Sequence, residues 1–379
     1  MKKLLILLTS VFIILSLTLI GCKTTTTDNK DTNTQGAGVN KPESTKVKIA
    51  CLINGTLGDK SFFDSANKGL EEIKNKFGYE TKTIEMGFDK SKWTPTLEDV
   101  SEQDYDIIIV GTWEMKENLE EVSQKYPDKK YIIFDSGMDY EGGNYKNVYS
   151  IEYKQNEASF LGGSIASLVT NSKLPLANSE KKIGFLGGSD MPVINDFLVG
   201  YIEGAKYIDK DIKVAVSYIG GFNDSAKGKE LALAQYNQGV DVGFNVAGQA
   251  GLGQLDAAKD SNKYAIGVDS DQASLFKEKD PKKAELIITS VLKRVDNSLV
   301  RALEMYKNGT LKFGQGEVLG LKEKAVEIVK NEYYEKTLPQ DIKDKVTEIE
   351  DKLSKGEIKV DSAFGMSTEE LTKLKDSVK

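Results

Sequence analysis

Read by polarity alone, the chain opens with an apolar run behind Lys2 and Lys3 and crosses a polar stretch at 23–46. It then settles into short apolar runs alternating with amphipathic segments. The apolar runs at 47–53, 79–85, 107–110, 131–134 and 148–151 have the length and β-branched content of strands. Between them, 62–77 and 114–126 carry the spacing of helices. The alternation restarts with helices predicted at 156–170, 193–208, 226–238, 251–261 and 295–306, and strands at 183–186, 214–219, 240–246, 264–268 and 286–291. Strands that alternate with helices of this length form βαβ units, which demand parallel sheets covered on both faces. Two such runs predict an α/β chain of two doubly wound αβα lobes. Residues 339–379 become charged and helical, with a helix at 341–353 and an amphipathic end, and are expected to pack as a C-terminal tail. No repeat with a period of 20–50 residues is apparent.

The apolar run from Leu4 closes on Leu19-Ile20-Gly21-Cys22. Lysines before an apolar h-region are the mark of an export signal, and the last four residues fit a lipobox, in which Cys22 is diacylated and becomes the mature N-terminus. The run is also about as long as a bilayer span of roughly 20 residues, but a small residue directly before the cysteine favours cleavage and lipidation. Residues 1–21 are therefore read as a lipoprotein signal peptide. Residues 22–46 (KTTTTDNKDTNTQGAGVNKPESTK after the cysteine) hold too little apolar surface to order themselves. They form a tether reaching about 25–30 Å from the membrane. Two or three acyl chains give stable anchoring, which places the folded part on the extracytoplasmic face of a bacterial cell membrane.

Composition narrows the chemistry. The chain has 51 basic and 58 acidic residues and no histidine. An acidic balance is not that of a nucleic-acid binder, which needs a basic patch. The missing histidine removes His-based triads, His general bases and the commonest zinc ligand. Beyond Cys22 only Cys51 remains, inside an apolar run, so the core holds by packing without an intramolecular disulfide.

Open parallel sheets bind ligands outside the carboxyl ends of their strands. After the first strand come Asn54-Gly55-Thr56-Leu57-Gly58-Asp59-Lys60-Ser61-Phe62-Phe63, and later strand ends carry Gly111-Thr112-Trp113 and Asp135-Ser136-Gly137. The second run offers Gly187-Gly188-Ser189, Gly220-Gly221-Phe222, Gly248-Gln249-Ala250-Gly251 and Asp269-Ser270-Asp271. Glycine, aspartate and aromatic residues at strand ends in both halves describe a cleft lined from both sides. Simpler readings stand beside this one. Glycine pairs serve turns, Asp59 can cap the helix at Ser61, Phe62 or Phe63 can be core, and Lys293 can be a solvated lysine at a helix start. The run from Gly248 to Gly253 has the wrong glycine spacing for a dinucleotide fingerprint.

Several ordered motifs resemble one family: Gly58-Asp59-Lys60-Ser61-Phe62, Ile183-Gly184-Phe185-Leu186-Gly187-Gly188, Ala247-Gly248-Gln249-Ala250-Gly251, Gly267-Val268-Asp269-Ser270-Asp271-Gln272 and Ser290-Val291-Leu292-Lys293-Arg294-Val295. Together they resemble the basic membrane protein family, the lipoprotein substrate-binding components of ABC transporters, with members that bind purine nucleosides. The resemblance implies a type I periplasmic-binding-protein fold whose chain crosses between lobes three times, near 151–154, 289–293 and 311–315. On that reading the N-terminal lobe is 47–152 plus 292–313 and the C-terminal lobe is 153–291 plus 314–338. It also implies roles: Phe62 and Phe244 stack on the base, Asp269 and Lys293 meet the ribose hydroxyls, Asp135 reaches polar ligand atoms, and Gly248 and Gln249 offer backbone contacts. Asn54 and Asp59 would read the base edge. The chain departs from the family's pattern at Asn54 and Phe63, so another heterocycle such as a flavin is an alternative ligand.

The implied function is that of a non-enzymatic binding protein that closes on a nucleoside by hinge motion and hands it to an ABC permease. A sensory ligand-binding receptor is the alternative from another class. The lack of histidine and of a clustered Asp-rich metal motif points away from a nucleoside hydrolase.

Overall fold

The computed structural model describes residues 46–379; the expected signal peptide, Cys22 and the tether to Thr45 lie outside the described residues. Strand β1 (Lys48–Ile53) leads to α1 (Phe62–Phe77), β2 (Glu80–Glu85), α2 (Trp93–Ser101), β3 (Ile107–Gly111), α3 (Lys116–Lys125), β4 (Lys130–Phe134) and β5 (Val148–Tyr153). A second run follows: α4 (Gln155–Thr170), β6 (Lys182–Gly187), α5 (Pro192–Ile208), β7 (Lys213–Tyr218), α6 (Ser225–Asn237), β8 (Val242–Val246), α7 (Gly248–Ser261), β9 (Tyr264–Asp269), α8 (Gln272–Phe276), α9 (Pro281–Leu286) and β10 (Ile287–Lys293). The chain ends with α10 (Val295–Lys307), β11 (Gln315–Leu319), β12 (Val326–Ile328), α11 (Glu332–Thr337), α12 (Gln340–Ser354) and α13 (Thr368–Asp376).

Two six-stranded sheets result, ordered β11-β5-β4-β3-β1-β2 and β12-β10-β9-β8-β6-β7. Their orders are equivalent strand for strand, and all pairs are parallel except β12 with β10. Central strands such as β3 (IIIVG) are buried at every position because helices cover both faces. Edge strand β2 (ETKTIE) alternates toward solvent. This is the two-lobed, doubly wound arrangement expected from the sequence.

The chain passes between the sheets at three places. Strand β5 ends at Tyr153 in the first sheet, while α4 packs against β6, β8, β10 and β12 of the second. Strand β10 ends at Lys293, after which α10 packs on α1. The third passage differs from expectation. Residues 315–319, expected in the second lobe, form β11 alongside β5 in the first sheet, so the change comes between β11 and β12. The segment before it turns back instead of crossing: Gly314 has a φ of 79° and donates its N–H to the Val148 carbonyl. Strand β11 is an edge strand with the polar sequence QGEVL, so it carries little apolar signal. Helix α2 was also not foreseen. It is nine residues long, with Pro95 in its first turn, where the ring costs no hydrogen bond.

Candidate functional site

In each sheet the strand order reverses beside the first strand of its run, and the carboxyl ends at such a switch point form a crevice. The crevice in the first sheet lies between β1 and β3; that in the second lies between β6 and β8. The two face each other across a cavity of about 410 Å³, a size that suits a small ligand.

From the first lobe, Asn54 follows β1 and donates its Nδ2 to Thr112 Oγ1 after β3 at 3.3 Å. Its Oδ1 is buried without a partner, and the residue lines the cavity. Asp59 does two things. Its Oδ1 accepts the N–H groups of Ser61 (3.0 Å) and Asp64 (3.1 Å), and its Oδ2 that of Phe63 (2.9 Å), so it caps α1. It also lines the cavity. Burial pushes its carboxyl up to about 6 against the pull of those three donors. Phe62 and Phe63 both face the cavity, edge to face at 5.5 Å between centroids. Phe63 lies over Gly55, where a Cβ would collide with its ring.

Asp135 directly follows β4 and Asp269 is the last residue of β9, equivalent strands of the two sheets. Both are left-handed, with φ of 64° and 61°, a conformation that Asp tolerates better than most residues. This turns each carboxylate off its strand end toward the cleft. Lys293, at the end of β10, donates to Asp135 Oδ1 at 2.5 Å. Its ammonium sits 4.9 Å from the Phe197 ring centroid, 5.5 Å from that of Phe62 and 5.6 Å from that of Tyr153. Asp269 accepts from Ser61 Oγ of the opposite lobe at 2.5 Å. Burial pushes the Asp269 carboxyl up to about 7, with the Lys293 charge and the Ser61 hydroxyl pulling it down and Asp59 and Asp135 adding to the rise. Lys293 thus bonds directly to Asp135 and acts on Asp269 only through space.

Two more hydrogen bonds join the lobes beside Asp269. Ser270 Oγ donates to the Ser61 carbonyl at 3.1 Å, and Gln272 Nε2 to the Lys60 carbonyl at 3.2 Å. Gly248 and Gln249 open α7 on the second-lobe wall, where Gly248 has a φ of 54°. The Ala250 N–H there is satisfied by the Phe222 carbonyl at 2.8 Å.

Of the candidate residues, Asn54, Asp59, Phe62, Phe63, Asp135, Gly248, Gln249, Asp269 and Lys293 all line this cavity. Phe244 does not. It lies in the middle of β8, fully buried, with its ring 5.2 Å from Tyr201, 5.7 Å from Phe185 and 6.3 Å from Phe197. The strand runs on to Val246 before it reaches the cavity, so Phe244 serves the core under α5. Phe197 and Phe222 are the second-lobe aromatics at the cavity. Phe222 stands in a strand-end motif noted above. Phe197 is spaced with Val193 and Ile194 as an ordinary buried helix stripe, and nothing in the sequence sets it apart. Phe88, Trp93 and Trp113 complete the first-lobe wall. Among the described residues, no group of three acidic, cysteine or histidine side chains is placed to hold a metal ion.

Flat aromatic walls from both lobes suit a planar group. Acceptor-only carboxylates suit hydroxyl donors, and a buried carboxylate needs such donors to be satisfied. Lys90 meets Glu114 (2.6 Å) and Lys293 meets Asp135, which leaves Asp269 with only the Ser61 hydroxyl as a direct side-chain donor. The arrangement favours a neutral ligand that combines a ring with hydroxyl groups.

Comparison with known proteins identifies the family and the fold. Residues 46–362 match the Bmp family, described as ABC transporter substrate-binding protein PnrA-like. Basic membrane protein A2 of Borrelia garinii subsp. bavariensis is 32% identical over 325 residues, covering 85% of this chain and 90% of that protein. The ABC transporter nucleoside-binding protein BmpA of Lactococcus lactis is 29% identical, over 86% of this chain and 92% of that one. An ABC transporter solute-binding protein from Aeropyrum pernix superimposes with a TM-score of 0.76 at 26% identity, covering 88% of this chain and 99% of that structure. With a cleft between two doubly wound lobes and a family match across nearly all of the described residues, the chain belongs to the basic membrane protein family of ABC-transporter substrate-binding proteins.

Proposed function

We propose that this chain is the lipid-anchored, extracytoplasmic binding component of an ABC importer, and that its ligand is a purine nucleoside held between the lobes. The observation that carries the reading is the convergence of Asp135, Asp269 and Lys293 between aromatic walls from both lobes. The nucleoside-binding relative in Lactococcus lactis supports the ligand class. The base lies between Phe62 on one lobe and Phe197 or Phe222 on the other, an arrangement worth about 1–3 kcal/mol per stacked base. The ribose diol donates to Asp269 and to the Asp135–Lys293 pair. The unpartnered Asn54 Oδ1 accepts from an N–H on the base edge. A ligand held by both lobes favours the closed arrangement by its differential affinity, and the closed surface is what a permease would read. The lipid on Cys22 and the tether keep the protein near that permease.

Mass spectrometry of protein purified without Cys22, first native and then denatured, tests the ligand. A released purine nucleoside supports the reading, whereas a flavin or another heterocycle replaces the ligand class while keeping the transport role. Protein that emerges empty is titrated with inosine. Labelled palmitate that enters the wild type and not Cys22→Ala supports the anchor, and equal labelling of both overturns it.

A further inference from the structure

The wall that α5 gives to the cavity rests on a buried carboxylate outside the cavity. Asp196 is 1% exposed and directly precedes Phe197, the ring that meets Lys293. Its Oδ2 accepts from Gln155 Nε2 at 2.6 Å. Gln155 opens α4, two residues after the chain leaves the first sheet. The Oδ1 of Asp196 accepts from two groups of the C-terminal tail, Ser362 Oγ at 2.6 Å and the Ala363 N–H at 2.9 Å. Burial raises the Asp196 carboxyl, and the tail donors with the Lys293 charge pull it back.

The tail is anchored around this point. Asn156 Nδ2 donates to the carbonyls of Val360 (3.3 Å) and Asp361 (3.0 Å), and Glu203 on α5 accepts the Asp361 N–H at 3.1 Å. Farther on, the Val214 N–H of edge strand β7 donates to the Val378 carbonyl at 2.8 Å. Lys375 of α13 approaches Asp190 at 3.4 Å, between the cavity residues Ser189 and Met191. The family match ends at residue 362, where the tail reaches Asp196.

We propose that Asp196 is a positioning residue through which the C-terminal tail, by Ser362 and Ala363, holds α5 and the first interlobe passage in the ligand-binding geometry. The tail therefore sets affinity without touching the ligand. A buried carboxylate deprived of these donors would draw α5 out of place, because an unpaired buried charge is far costlier than a bonded one.

The test compares Asp196→Ala, Asp196→Asn and Ser362→Ala in the otherwise intact protein, and the choice of inosine as probe rests on the function proposed above. Asp196→Ala and Ser362→Ala are expected to weaken inosine binding about 3- to 30-fold, the range for residues coupled to a site. Asp196→Asn is expected to restore affinity. Its Oδ1 keeps both tail donors, and the Gln155 amide turns so that its Oε1, now without a partner, accepts from the new amide. Unchanged inosine affinity in both weakening variants, with only a lower melting temperature, would overturn the proposal. Ser362→Ala removes one hydroxyl and keeps the test open if Asp196→Ala does not fold. Should the wild type fail to bind inosine, the ligand reading fails, and hydrogen exchange of the ligand-free protein decides instead. Faster exchange at 153–156 and 191–197 in Ser362→Ala supports the proposal, and a change confined to 355–379 overturns it.

Discussion

At the scale of single residues, the site turns on Asp135 and Asp269, which hold the same left-handed backbone at equivalent strand ends but differ in partner. Asp135 has the Lys293 ammonium; Asp269 has a hydroxyl and a raised pKa of about 7. A carboxyl raised on folding makes the folded state bind more protons than the unfolded chain. Its stabilising share is present below pH about 4 and is lost as pH rises through about 7. Asp269→Asn is therefore expected to gain melting temperature over the wild type at pH 8 and to lose that advantage at pH 5. Ligand binding is expected to run the other way, because the ribose hydroxyls of the proposed ligand need the ionised acceptor. Inosine affinity is expected to fall below pH about 7 in the wild type, and Asp269→Asn, already weakened by about 1.5–3 kcal/mol through loss of the charged acceptor, to show a flat profile. An equal pH dependence in both proteins would remove Asp269 from the site. The aromatic residues separate as cleanly. Phe244→Ala is expected to cost about 3–5 kcal/mol of stability as a core truncation. Phe197→Leu, which keeps most of the buried volume, is expected to cost less stability than Phe244→Ala but to weaken inosine more, and urea melts beside titrations would show a reversed pattern if the stacking ring were Phe244.

At the scale of elements, α4 and α5 pack closely beneath the second-lobe wall. A Cβ on Gly200 would collide with the Asn156 carbonyl, one on Gly204 with the Phe160 carbonyl, and one on Gly163 with the Tyr201 carbonyl. The helices meet backbone to backbone, and α5 carries Val193, Ile194 and Phe197 to the cavity. Gly204→Ala is expected to destabilise by about 1–3 kcal/mol through overpacking, read as a shifted urea midpoint. An unshifted midpoint would mean that the helices have room to separate. Elements with strong periodicity were legible in the sequence, helix 62–77 to the residue, because their apolar stripes face a core. Strand β11 was not, since Gln315, Gly316 and Val318 are exposed and it pairs only along one edge. That single element moved the third passage between lobes from 311–315 to the segment after Leu319. At the site, residues on strand ends were legible because topology sends every parallel strand's carboxyl end to one crevice. Phe244 was misplaced because its role came from the resemblance alone, although the strand read at 240–246 already set it two residues short of the strand end. Asp196, buried on a helix among apolar neighbours, gave no signal of the tail that reaches it.

At the scale of the whole molecule, three short passages join two lobes that also touch at Ser61–Asp269, Ser61–Ser270 and Lys60–Gln272. These contacts stand where a ligand would add its own, so on the proposed function binding would bias an opening and closing of the lobes. Small-angle scattering is expected to show a smaller radius of gyration with inosine than without it, and an unchanged radius would mean that ligand enters without closure. Calorimetric titration of ligand-stripped protein with inosine, adenosine and guanosine tests whether a nucleoside is held between the lobes. Saturable one-to-one binding of at least one of them is expected, at about 1 μM or tighter, corresponding to roughly −8 kcal/mol or more. Absence of binding by all three, from protein that remains folded, would contradict it.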